Sequence, residues 1–228
     1  MRKIFLAALF MMSFIFAIQA NAQDFSETPQ WIKNLPAAKT ANQLLVVAGI
    51  NQTTAWISFH EKDSEGNWQQ IMTTPGFIGK NGLGKIKEGD NKTPVETFVI
   101  DRAFGIAEDP GCAMPYTQVD ENIYWSGDFN YKYNQWVDIR ENPNLDKANS
   151  EHIIDYNPHY IYCLNIGYNK ENIVGKGSAL FIHCFDPAKP YTGGCVALPK
   201  DKMKLVMQTI RPGCIAVIDS LENLGGKI

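Results

Sequence analysis

The chain has 228 residues, with 21 Lys and Arg against 24 Asp and Glu, a formal net charge of −3, and 45% hydrophobic residues. An acidic balance gives no electrostatic footing for nonspecific nucleic-acid binding, and the lysine-bearing stretches 85–92 and 200–204 are too short and too interleaved with acidic residues to change that. No CxxC or HExxH pattern is present, and no complete GxGxxG or GxxxxGK[ST] nucleotide loop, so neither a metal site nor a cofactor is expected.

Residues 1–22 read as a signal peptide: Arg2 and Lys3, an apolar run from Ile4 to Ile18, then the small-x-small pattern Ala20, Asn21, Ala22. The run is short for a membrane span, and no second apolar run of that length follows, so no stable transmembrane segment is expected. Removing Arg2 and Lys3, the only charged residues of the segment, takes the formal charge to −5 and leaves about 206 residues, enough for one substantial core. The expected location is the far side of the inner membrane, periplasmic or associated with the envelope.

Residues 23–42 form a polar lead-in that Trp31, Ile32 and Leu35 can dock onto the body, and residues 43–228 read as a single domain. Gln43 to Gly49 and Ala55 to His60 are predicted to pair as a hairpin across Asn51 to Thr54, with Trp68 to Met72 as a third strand. The glycine-dense run from Gly76 to Thr93 predicts a shaped surface loop, after which Thr97 to Asp101 returns to strand character. From Ala107 to Pro158 the chain is rich in Tyr, Trp, Asn and Asp without regular periodicity. Its aromatics read mainly as packing, with a ligand-facing wall as the alternative. Tyr160 to Tyr168 and Ser178 to Phe185 are predicted strands. Met203, Val206, Met207 and Ile210 recur at helical spacing and are stopped by Pro212 and Gly213, and Cys214 to Ile218 is the final strand. The fold class expected is mainly β with a few short helices.

Five cysteines cannot all pair within one chain, so at least one thiol is free or bonded to another molecule. In an exported protein the remaining four can form disulfides where geometry allows, or stay as plain buried thiols. The conspicuous thiol is Cys195. It follows Thr192, Gly193 and Gly194, precedes the apolar Val196, Ala197 and Leu198, and lies twelve residues after His183 at the end of an apolar strand. A thiol of pKa about 8.5 is a few per cent thiolate near neutrality. An adjacent imidazole can take its proton and leave an ion pair with a strong nucleophile. Gly193 and Gly194 leave backbone N–H groups unobstructed for an oxyanion. The competing reading makes His183 a satisfied core histidine and Cys195 a structural cysteine, and His60, His152 and His159 compete for the role of base.

These residues resemble the signature of the YkuD-like L,D-transpeptidase catalytic-domain family: a His, a spacer, then Ser or Thr, His, Gly, Cys and an apolar residue. Here His183, Thr192, Gly194, Cys195 and Val196 match, while Gly193 stands where a second His is common. Ser178 to His183 and Thr192 to Pro199 resemble a branch with a small residue at that point. The LGKIKEGDNKTP stretch at 83–94, YNQWVD at 133–138 and IGYN at 166–169 extend the likeness. The resemblance implies a β-sandwich catalytic fold in which Cys195 forms an acyl-enzyme with peptidoglycan stem peptides and His183 acts as base. The Cys184 backbone carbonyl is the implied orienter of the imidazole. An amine on another stem or on a wall-linked protein, or water, would resolve the thioester. Lys85, Lys87, Lys92 and Arg102 are candidates for the substrate carboxylate, and Tyr191 for the wall of the groove. The implied alternatives are an L,D-carboxypeptidase, a hydrolase releasing wall-linked protein, or a noncatalytic peptidoglycan binder.

Overall fold

The structure is a computed structural model that describes residues 26–227; the expected signal peptide lies outside the described residues. The chain opens with a short strand β1 (Ser26–Glu27), helix α1 (Gln30–Lys33) and a 3-10 turn at Pro36–Lys39. Ile32, Leu35, Ala38 and Ala41 bury against Leu44, Val46 and Val217, so the lead-in is docked onto the body.

Strands β2 (Gln43–Gly49), β3 (Thr54–Lys62) and β4 (Trp68–Phe77) form an antiparallel meander. The QLLVVAG run is apolar on both sides because β2 is covered on both faces: Leu45 and Val47 enter the main core, Leu44 and Val46 the smaller cluster under the lead-in. β4 runs five residues past its predicted end and takes in Gly76. A Cβ there would overlap Ile57 Cδ1 and the Ala197 carbonyl, so the glycine belongs to a close approach between strands, not to the surface loop expected from Gly76 onward.

The remaining strands are β5 (Glu96–Val99), β6 (Arg102–Gly105), β7 (Tyr116–Gln118), β8 (Ile123–Trp125), β9 (Trp136–Asp138), β10 (Glu151–His152), β11 (Cys163–Asn165), β12 (Phe181–Cys184), β13 (Val196–Leu198) and β14 (Ile215–Ser220). The main sheet runs β5-β14-β2-β3-β4-β13-β12-β11-β6-β7, with β1 added on β4, and β10-β8-β9 form a separate three-stranded sheet. Only Ile100 and Asp101 join β5, at one end of that order, to β6, next to the other end. A two-residue link cannot cross the width of a flat sheet, so the sheet curls until its two ends meet. Its inner face, together with Met203, Val206 and Met207 of α2 (Lys200–Thr209), encloses the main core. The mainly β class is therefore the observed one.

Several strands are shorter than their apolar patterns predict. Tyr160 to Tyr168 contributes only β11, because His159–Ile161 forms a 3-10 turn and Gly167 and Asn169 take positive φ. Ser178 to Phe185 contributes β12, with Ala179 at φ 53° just before it. The middle segment is less irregular than expected, since β7 to β10 fall within it. Most of its aromatics pack, with Trp125 and Tyr133 buried, while Phe129 is exposed.

All five cysteines are free thiols, so of the two alternatives the plain thiol is the one observed. Cys184 and Cys214 lie in the main core, Cys163 and Cys195 in a second apolar cluster on the other face of β12, and Cys112 is half-buried. Among the described residues no helix is long and apolar enough to cross a membrane.

Candidate active site

β12 and β13 are neighbouring parallel strands in which Ile182 pairs with Val196, His183 with Ala197 and Cys184 with Leu198. Successive strand residues face opposite sides of a sheet. Ile182, Cys184, Val196 and Leu198 therefore enter the main core, while Phe181, His183 and Cys195 share the other face. Continuing the register back by one residue sets Cys195 opposite Phe181. His183 is then its diagonal neighbour, a separation of about 7–8 Å between backbones that side chains can bridge.

Both side chains line one cavity of about 230 Å³, together with Lys85, Glu88, Glu151, Tyr156, His159, Tyr160, Ser178, Lys189, Tyr191, Thr192 and Gly193. His183 Nδ1 lies 2.8 Å from the Cys184 carbonyl oxygen. A carbonyl only accepts, so Nδ1 carries the proton and Nε2 is left with its lone pair. The ring is braced by Tyr160 and His159, whose centroids lie at 5.4 and 5.7 Å.

The Cys195 thiol donates to the Ala179 carbonyl and its sulfur accepts from the Phe181 N–H, each at 3.3 Å. Burial pushes this thiol up to about 12, with the Glu151 charge adding to the rise. Burial also pulls His183 down to about 4 against the bond to Cys184. The resting pair is thus a neutral thiol and a neutral imidazole, not the ion pair expected from the sequence, because both groups lie in a setting that penalises charge.

The loop that carries Cys195 is held at that residue's carbonyl. The Cys195 carbonyl accepts from Thr192 Oγ1 at 2.7 Å and Thr93 Oγ1 at 3.1 Å, and Thr93 is in turn held by the Gly79 N–H at 2.9 Å. Gly194 sits at φ 140°, where a Cβ would meet the Lys92 carbonyl at 2.8 Å. Its N–H donates to Thr192 Oγ1 at 3.0 Å. That group is engaged within the loop, which departs from the open oxyanion donor expected at Gly194. Gly193 lies on the cavity, and a Cβ there would meet nothing within 4 Å.

Of the substrate candidates, Lys85 and Tyr191 line the cavity and Arg102 does not. Arg102 lies over the Trp136 ring at 4.7 Å, in a separate groove with Asp101, Asn165 and Lys170. β6 is two strands removed from β12 in the sheet order, which places Arg102 apart from the cavity. Lys85 is buried and bonds Asp90 at 2.9 Å. Burial opposes ionisation of Asp90, but the Ile86 N–H, Lys85, and the Lys92 and Lys87 N–H groups outweigh it and hold the carboxyl down at about 2. The Tyr191 ring has Lys80 and Lys189 ammonium groups at 5.5 and 5.8 Å.

Sequence reasoning missed the acidic side of the cavity. Glu88 accepts from Ser178 Oγ at 2.7 Å and from the Tyr133 hydroxyl at 2.5 Å. Glu151 accepts from the Tyr160 hydroxyl at 2.7 Å, and burial raises its carboxyl to about 7. The KEGD run in the glycine-rich loop was a signal for Glu88. Nothing local marks Glu151, which arrives from the small sheet through its pairing with Trp125.

No known family profile matches the chain, nor does any curated protein sequence. Among solved structures it is similar to the helical cell shape determining protein Pgp2 from Campylobacter jejuni, at 14% identity and a TM-score of 0.43, over 78% of this chain and 47% of that one. It is also similar to an L,D-transpeptidase (Yku) from Stackebrandtia nassauensis, at 13% identity and a TM-score of 0.35, over 89% of this chain and 62% of that one. The chain spans about half the length of the Pgp2 chain it matches.

Proposed function

We propose that the protein is a cysteine acyltransferase of the L,D-transpeptidase type, acting on peptidoglycan stem peptides with Cys195 as nucleophile and His183 as base. The observation that carries this reading is one cavity lined both by Cys195 and by an imidazole whose Nδ1 is fixed by the Cys184 carbonyl, leaving Nε2 as acceptor. A satisfied core histidine would have both nitrogens engaged.

In the proposed reaction the thiol proton passes to His183 Nε2 as sulfur attacks the carbonyl joining the third stem residue to the terminal D-Ala. Proton transfer accompanies attack, because the resting groups are both neutral and separate charges are costly in a buried site. The N–H groups of Gly193 and Cys195, and not the engaged one of Gly194, are the proposed donors to the developing oxyanion, and such a donor is worth roughly 3 kcal/mol. Collapse breaks the C–N bond, the imidazolium returns its proton to the leaving amine, and a thioester remains. An amine acceptor then forms the new amide, with His183 removing its proton and the thiolate leaving.

The test is mass spectrometry of the protein incubated with defined tetrapeptide muropeptides, with and without an amine acceptor, beside Cys195→Ala. A cross-linked or amine-exchanged product that requires Cys195 is the expected result. Loss of D-Ala to water alone makes the protein a carboxypeptidase at the same site, and turnover by Cys195→Ala overturns the assignment of the nucleophile.

A further inference from the structure

The mechanism leaves Glu151 and Tyr160 without a use, although both line the cavity that holds Cys195 and His183. Tyr160 is almost fully buried, at 4% exposure. Its ring stacks on Tyr156 at 4.7 Å and presents its edge to Phe181 and His183, both at 5.4 Å. Its hydroxyl has one protein acceptor among the described residues, the Glu151 carboxylate. Tyr160 comes from the 3-10 turn at His159–Ile161, whose backbone includes a non-helical kink at Tyr160 itself. Glu151 comes from the two-residue strand β10, on a different sheet from His183.

His183 has one hydrogen bond that fixes its tautomer, but a bond at Nδ1 alone leaves the ring free to pivot about it. The pivot is limited by the rings on either side, and of these only Tyr160 is itself anchored through a buried hydroxyl. We infer that Glu151 is a positioning residue: by accepting from Tyr160 it fixes the ring that holds the His183 imidazole in the cavity it shares with Cys195. The inference rests on the reading of Cys195 and His183 as a reactive pair. It assigns Glu151 the acceptor's geometry and not its charge, since the carboxylate charge raises the Cys195 thiol and so opposes its activation.

Glutamine keeps an oxygen acceptor and alanine does not, while both remove the charge, so the ratio of the two variants isolates the hydrogen bond. The measurement is the rate of Cys195 alkylation by iodoacetamide at a fixed neutral pH, localised by peptide mass spectrometry. The half-buried Cys112 in the same sample serves as the control for folding. Glu151→Ala is expected to alkylate at Cys195 at least tenfold more slowly than Glu151→Gln, with Cys112 rates equal in the two. In a Tyr160→Phe background that difference should vanish, because the donor is gone. Equal Cys195 rates for the Ala and Gln variants, or a difference that survives Tyr160→Phe, would overturn the inference. His183→Ala separates this from the parent reading: if it leaves Cys195 alkylation unchanged, the reactive pair itself is wrong, whereas slowing by His183→Ala with no Ala-Gln difference removes Glu151 alone.

Discussion

Two histidines in this molecule have the same pKa direction and opposite uses of their nitrogens. His60, on β3, is fully buried, with Nδ1 3.0 Å from Thr28 Oγ1 and Nε2 2.7 Å from Ser58 Oγ. His183 is nearly as buried, but only its Nδ1 is engaged, and Nε2 looks into a cavity that also holds a thiol. Burial pulls both down to about 4. A depressed pKa therefore does not distinguish a structural histidine from one proposed to react. The unspent nitrogen separates His183 from His60, and the Nδ1 bond to the Cys184 carbonyl separates it from His159, whose Nδ1 has no partner among the described residues.

The largest expected effect falls on the reactive side of this contrast. Cys195→Ala should give no product, and His183→Ala should lower turnover per folded molecule roughly 10³-fold, within the range for loss of a general base. His60→Ala should do the reverse: unchanged turnover per folded molecule, but a loss of about 2 kcal/mol in denaturant unfolding as a cavity opens and two hydroxyls lose their partner. A His60→Ala protein with turnover as low as His183→Ala would break the comparison.

The pH dependence of stability sharpens it. Both folded pKa values lie below the ordinary histidine value of 6.5, so between about pH 6.5 and 4 the unfolded chain binds more protons than the native one. Stability is then lost as pH falls through that window, by on the order of 3 kcal/mol for each histidine. Glu151 acts oppositely: its raised carboxyl makes the native state the better proton binder between 4.5 and about 7, so its contribution is lost as pH rises across that range. Urea titrations from pH 7 to 4 should therefore show a steeper acid loss in Glu151→Gln than in the parent, and a shallower one in His60→Leu. Parallel curves for all three would show that these groups are not buried as described.

A smaller effect separates the two glycines before the nucleophile. Gly194→Ala should cost roughly 1–3 kcal/mol and disturb activity, since positive φ and the Lys92 carbonyl both oppose a side chain. Gly193→Ala should stay within about 0.5 kcal/mol of the parent, because open space surrounds that position. Thermal unfolding of the pair measures the difference.

The contrast also explains what was legible in the sequence. The main strands and α2 could be read because β2, β3 and α2 bury faces that repeat at the strand and helix periods. His183 and Cys195 were picked out because they are twelve residues apart, and β12 with the residue before β13 brings them to one cavity. His60 was set apart from His183 in the sequence only by the glycine-bounded Cys195 that follows His183, since each is an imidazole in an apolar strand. What differs is Thr28, which is 32 residues from His60 and joins it only after the lead-in docks. Glu151 and Tyr160 were invisible for the same reason, their role arising from a meeting of two sheets. Arg102 was misplaced because distance along the chain stood in for distance in space. Strand ends were overestimated where positive-φ residues such as Ala179 and Gly167 break an apolar run.

The carbonyl of the nucleophile has a consequence for how the molecule acquires its chemistry. Thr93, which grips the Cys195 carbonyl, is 102 residues away along the chain, and Glu88 reaches Ser178 over 90. Contacts of such separation are expensive to close and make folding slow. While the chain is still being ordered, Cys195 is one flexible thiol among five, without its shaped loop. On the proposed reading, reactivity at Cys195 is a property of the completed sheet and arises only when its two ends have met.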